Sequence, residues 1–217
     1  MIFNSRDNCL DSGRYGSYIG EISPAPDNLL NRDFSADAPN EKWLTDITEF
    51  QIPAGKVYLS PMIDCFDGMV VSWSIGTRPN AELVNTMLDA AIDKVDSSGD
   101  RPVVHSDRGG HYRWPGWLNR IAEAKLVRSM SRKGCSPDNA ACEGFFGRLK
   151  IEMFFERNCH RYGFRRIQAG LSVQSVRVSE KLVRRRMKQG CLVAAKAKRR
   201  RYGSYMGEIS PAPDNRG

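Results

Sequence analysis

Three acidic residues stand where they could act together: Asp46 in WLTDITEF (43–50), Asp107 at the end of RPVVHSD (101–107), and Glu143 in DNAACEG. Each alone has a plain explanation, as an edge-strand charge, a turn aspartate before two glycines, or an exposed helix glutamate. Together they suggest a constellation. A first strand in the middle of a sheet and its neighbour bring two carboxylates side by side, and a helix packed across the strand ends adds the third from its second turn. Three converging carboxylates repel one another unless a cation intervenes. Mg²⁺ or Mn²⁺ suits carboxylate and water ligands. Two such ions about 4 Å apart can activate an attacking hydroxyl and stabilise a leaving oxygen.

The surrounding pattern supplies elements to position these acids. WLTDITEF alternates as a strand, with Leu44, Asp46, Thr48 and Phe50 on one face. Pro53, Ala54 and Gly55 make a turn. Strands over 57–68 and 69–77 meet at Asp67-Gly68, a hairpin signal. Apolar residues at 83, 84, 87, 88, 91, 92 and 95 have helical spacing. A short strand over 101–107, a helix over 115–125 and a strand over 126–131 follow. The next helix is expected to start with Ser136 as N-cap and Pro137 in its first position, and to run to about residue 155. Three hairpin-linked strands followed by α/β alternation predict a mixed five-stranded sheet flanked by helices.

Charge divides the chain. Residues 161–201 hold 14 Lys or Arg against one acidic residue, and the remainder is slightly acidic. A basic segment attracts phosphate backbone by counterion release, or is simply a solvated tail. Within 161–190, two short helices flank a VRVS break, with Ser179 as N-cap and Gly190 as stop. This fits either a helix-turn-helix-like DNA reader, presenting Arg184, Arg185 and Arg186, or a lone basic amphipathic helix. RYGSYIGEISPAPDN (14–28) recurs as RYGSYMGEISPAPDN (201–215), and each copy reads as an extended linker. The six cysteines form no CxxC pair, and with three scattered histidines they give no zinc ligand set. No apolar run approaches the roughly 20 residues of a membrane helix, and the N-terminus has no signal-peptide pattern. A cytoplasmic, nucleoid-associated setting is expected. The expected organisation is residues 1–13 unassigned, a linker over 14–40, a core over 41–156, the basic helical segment over 161–190, and a basic linker over 191–217.

NRDFSADAPNEKWLTDITEF, HSDRGGHY and SMSRKGCSPDNAACEGFFGRLK resemble transposases of bacterial insertion sequences, specifically the insertion-sequence-three family, whose core is related to retroviral integrase. That family's signature is two aspartates and a glutamate with 35 residues between the second and third, and 35 residues separate Asp107 from Glu143 here. The resemblance implies a ribonuclease-H-like fold. It implies that Asp46, Asp107 and Glu143 hold Mg²⁺ or Mn²⁺, as two ions, for hydrolysis at element ends and attack of a freed 3′-hydroxyl on target DNA. It implies a homo-oligomer on DNA. It also implies a DNA contact for Lys150, seven residues after Glu143 on the same helix face. His105, Arg108, His111 and Lys133 could approach phosphates, or could be ordinary loop polarity.

The resemblance runs over about 14–155 and then changes character. A further core segment is expected after Phe155, but the sequence turns to HRYGFRRIQAGLSVQSVRVSEKLVRRRMKQG, which resembles basic material normally upstream of the core. The chain therefore reads as permuted, with a duplicated linker at the join. Two other readings stay open: a rearranged, non-catalytic remnant that only binds DNA, and a plain nuclease that cuts without joining.

Overall fold

The computed structural model describes residues 23–95, 99–173, 176 and 178–195. The readings of residues 1–13, of most of the first repeat copy and of residues 196–217 lie outside the described residues. The chain divides between Lys150 and Ile151 into two compact units.

The first unit holds β1 (Lys42–Thr45), β2 (Thr48–Ile52), β3 (Gly55–Asp64), β4 (Val70–Gly76), α1 (Ala81–Val95), β5 (Val103–Ser106), α2 (Pro115–Glu123) and β6 (Val127–Met130). It ends with the start of α3 (Ala140–Arg157), preceded by a 3₁₀ turn over Ser136–Asn139. The sheet has six strands, two of which are halves of one. Thr45 faces Met62 of β3 and Thr48 faces Leu59 in the same antiparallel register. Asp46 and Ile47 therefore interrupt a single strand, opposite Pro61 and Ser60. Pro61 has no N–H to offer a ladder at that point. The single strand expected over 43–50 is thus broken at its acidic residue. β4 pairs β3 antiparallel, while β5 runs parallel to both β1 and β6. This is the mixed sheet flanked by helices that the resemblance implied.

Both faces of the central strands are covered, so successive residues of β1 are buried in opposite directions. Trp43, Met62 and Val104 pack with Val84, Met87, Leu88 and Ala91 of α1 and with Trp117 and Ile121 of α2. Leu44 and Ile63 pack on the other face with Leu30 and with Cys142 and Phe146 of α3. Each such large side chain contributes about 1.5–3 kcal/mol when fully buried. α1 begins where Asn80 Oδ1 accepts from Leu83 N–H at 3.1 Å, which satisfies one otherwise orphaned donor. The Ser72 and Ser74 hydroxyls of β4 donate to the Met87 and Leu83 carbonyls, so that edge of the sheet is tied to α1 by polar bonds as well as packing. α2 stops at Glu123, two residues before Lys125 takes a left-handed φ of 54°.

In the second unit, the last turns of α3 join α4 (Phe164–Val173) and α5 (Glu180–Gln189). Ile151, Phe155, Ile167, Leu171, Val183 and Met187 form its core. The Ser179 hydroxyl caps α5 by accepting from Leu182 N–H at 3.2 Å, and Gly190 closes it. Gly170 has no side chain because the Phe154 ring occupies the place; a Cβ there would lie 2.0 Å from the ring edge. The two expected helices are present. That α3 supplies a third helix to their core was not expected.

Candidate active site

Strand register sets the first two acids. β1 and β5 run parallel with Thr45 beside Ser106, and the next residue on each strand is Asp46 or Asp107. Ile47 N–H donates to Asp46 Oδ1 at 2.7 Å and the Asn139 side-chain amide donates to Oδ2 at 2.8 Å. Burial raises the Asp46 carboxyl, and the Asp107 charge raises it further. The Ile47 and Asn139 hydrogen bonds oppose this, the Glu143 charge adds to it, and the result is about 7. Asp107 Oδ1 accepts from Gly109 N–H at 2.9 Å. A Cβ on Gly109 would sit 2.9 Å from that same oxygen, so a side chain there would require the Asp107 carboxylate to shift.

Glu143 lies in the first turn of α3, not the second, because the chain passes through the 3₁₀ turn before α3 starts at Ala140. Its side chain is exposed, and its charge reaches Asp46 and the buried Cys142 thiol. Asp46 and Asp107 line a cleft of about 290 Å³ with Glu49, Tyr58, His111 and Tyr112; Glu143 is not among its lining residues. Among the described residues no three His, Cys, Asp or Glu side chains already form a metal-ligand group. Burial lowers the His111 imidazole, whose Nδ1 has no hydrogen-bond partner.

The basic candidates fall in different settings. The Lys150 ammonium sits 5.5 Å from the centre of the Phe50 ring. Burial lowers its pKa, against the opposing charges of Glu49 and Asp46. Arg108 is exposed and its Nε donates to the Ser131 carbonyl at 2.9 Å. Lys133 is exposed in the turn before Gly134. In the second unit Arg184 and Arg185 are exposed, whereas Arg186 is half-buried and donates to Gln189 at 3.3 Å.

His105 is no phosphate ligand here. It is 1% exposed, with Nδ1 2.8 Å from Ser129 Oγ and Nε2 3.1 Å from the Asp138 carbonyl. A carbonyl only accepts, so Nε2 carries the proton and Nδ1 accepts from the serine. Sequence reasoning also missed Asp138 and Asn139. The Asp138 carboxylate is fully buried and gathers Asn28, Arg32 and Arg132. The only hint was the DN pair placed just before a helix that carries Glu143.

Comparison with known proteins bears on this arrangement. Residues 36–136 match the integrase core domain family, and residues 147–202 match an HTH-like domain. Over 145 residues the chain is 66% identical to a probable transposase for insertion sequence element IS1353 of Shigella flexneri, covering 67% of this chain and 28% of that protein. Over 139 residues it is 39% identical to transposase InsF for insertion sequence IS3A of Escherichia coli K12, covering 63% and 47%. The chain thus spans less than half the length of either. A simian T-cell lymphotropic virus intasome, solved in complex with PP2A regulatory subunit B56 gamma, aligns over 70% of this chain and 51% of its own, with a TM-score of 0.49 and 17% identity. Residues 36–136 are thus similar to the integrase core domain family. The chain that carries them is a relative of the insertion-sequence transposases, including those of the insertion-sequence-three family.

Among the described residues no helix is long and apolar enough to cross a membrane.

Proposed function

We propose that this chain is the catalytic core of a transposase that cuts and joins DNA with Asp46, Asp107 and Glu143. The observation that carries the reading is the parallel pairing of β1 with β5, which seats Asp46 and Asp107 side by side in one cleft. The donor chemistry fits divalent metal: two carboxylates crowd together, and one is held up to about 7 by burial and by its neighbour's charge. A hard dication relieves that conflict. Asp46 and Asp107 would hold Mg²⁺ or Mn²⁺, with Glu143 completing the set from α3. Bound there, two ions would lower the barrier for both the attacking and the leaving oxygen.

The chain's own residues do the rest. The Ile47 N–H and the Asn139 amide orient the Asp46 carboxylate, and Gly109 N–H orients that of Asp107. Water adds to phosphorus at the element end and the bond to the 3′-oxygen breaks, freeing a 3′-hydroxyl. That hydroxyl then attacks a target phosphodiester, whose own 3′-oxygen leaves. Lys150, Arg108 and Lys133 supply positive charge to the DNA backbone in the first unit, and Arg184, Arg185 and Arg186 do so in the second. A homo-oligomer assembled on DNA in the bacterial cytoplasm completes the reading.

The test is Mn²⁺-dependent cleavage and strand transfer on labelled element-end DNA, with Glu143→Gln alongside. Activity in the parent and its loss in the variant supports a working triad. Salt-sensitive DNA binding without metal-dependent cleavage in either would leave a DNA-binding remnant instead. The exposure of Glu143 outside the cleft favours keeping that second reading under test.

A further inference from the structure

A polar cluster of the first unit centres on Asp138, which is not among the residues lining the cleft. The buried Asp138 carboxylate accepts from Asn28 Nδ2 at 2.9 Å and Arg32 Nε at 2.9 Å. It also accepts from Arg132 N–H and Arg132 Nε, both at 3.0 Å. Its backbone carbonyl accepts from His105 Nε2, whose other nitrogen is held by Ser129. Residue 138 is therefore fixed at both its side chain and its main chain. Leu29 N–H donates to the same Ser129 hydroxyl at 2.9 Å, which ties the segment before β1 into the cluster. The arginines hold the Asp138 carboxyl well below the usual carboxylate range, so it stays charged at neutral pH.

The next residue is Asn139, and its side-chain amide donates to Asp46 Oδ2 at 2.8 Å. An amide donor can serve only the lone pairs of the carboxylate and does not compete for a proton. With the Ile47 N–H on the other oxygen, it fixes the plane of the carboxylate. We propose that Asn139, anchored by Asp138, is the positioning residue that aims Asp46 at the metal. This rests on the reading of Asp46 as a metal ligand. Partners of this kind commonly change metal affinity or activity about 10–100-fold when removed.

The assignment separates hydrogen-bond donation from space filling. Asn139→Ala removes the donor and the bulk, whereas Asn139→Leu removes the donor and keeps most of the shape. The measurement is Mn²⁺ binding to the full chain by electron paramagnetic resonance, without DNA, together with thermal melting and with Mn²⁺ half-saturation of cleavage. Both variants should weaken Mn²⁺ binding by about 10-fold or more, raise the half-saturating Mn²⁺ concentration by a similar factor, and melt within a few degrees of the parent. Wild-type Mn²⁺ binding in both variants overturns the assignment, and so does recovery in Asn139→Leu alone, which is the mark of a packing role. Asp46→Asn distinguishes the underlying reading. If that variant binds Mn²⁺ like the parent, Asp46 is not a ligand and the site itself falls. If it loses Mn²⁺ while the Asn139 variants keep it, only the Asn139 proposal falls.

Discussion

Within each unit charge is placed differently: the sheet unit draws it inward and the helical unit turns it outward. In the first, acidic groups are drawn inward: Asp46 is held by an N–H and an amide, Asp107 by a turn, and Asp138 by two arginines under full burial. In the second, the interior is six apolar side chains from three helices, and most of the basic residues face outward. Buried polar groups must be matched atom by atom, since each unmatched one costs about 1–3 kcal/mol. An apolar helical core needs only volume and pattern. The first unit is therefore intolerant of small displacements near its cleft. The second tolerates surface change but not loss of core volume.

The sharpest way to break this contrast is at the acids. Glu143→Gln should lower cleavage about 10³-fold, on the several kcal/mol that a bound metal contributes to such a reaction, while leaving the melting temperature nearly unchanged. A variant that cuts as well as the parent would remove Glu143 from the site. Next in size, Ile167→Ala should destabilise the helical unit by about 2–5 kcal/mol, since Ile167 is fully buried in its core. Urea unfolding followed by the helical circular-dichroism signal reads this, and Mn²⁺ binding should stay at the parent level. Loss of Mn²⁺ binding in Ile167→Ala would show that the two units do not separate as described.

Local pattern carried the elements well and the partners poorly. The helix over 81–95 and the strand pairing of 57–68 with 69–77 follow from period and turn chemistry, which neighbours in sequence decide. The break in the first strand does not, because its cause, Pro61, stands across the sheet. The burial of Asp138 depends on Arg32, 106 residues away. His105 looked like a loop histidine because nothing in HSDRGG says that strands lie on both sides of it. α3 shows apolar residues on several sides, and only the fold tells that its early residues serve the sheet and its later ones α4 and α5. The candidate acids stood out by residue type and by the 35 residues between Asp107 and Glu143, and the β1–β5 register adds that Asp46 and Asp107 follow paired residues.

The polar interior of the first unit also has a pH signature. Burial lowers the His105 imidazole below its ordinary value, so the unfolded chain binds the proton more readily than the folded one. Stability is then complete above the unfolded value of about 6.5 and falls as the pH drops below it. Asp46, raised to about 7, works the other way and gains stability as it takes up its proton, so in melting scans from pH 8 to 5 His105→Gln should lose less, or gain more, on acidification than the parent. Equal slopes would mean that another group governs the acid limb.

The smallest effect tests the outward face of the second unit. Arg185 on α5 is exposed, so its guanidinium is available to a phosphate, whereas Arg186 is half-buried and bonded to Gln189. Each phosphate contact releases about one counterion from duplex DNA, and its loss lowers the log–log salt slope of binding by about 1. Arg185→Ala should produce that reduction, uniformly across DNA sequences. Arg186→Ala should change the slope less, because removing a partly satisfied side chain frees fewer counterions. Binding measured by fluorescence anisotropy between 50 and 200 mM salt separates the two. The reverse order would show that the DNA-facing side of α5 is rotated toward Arg186, and that Arg185 marks a solvated flank.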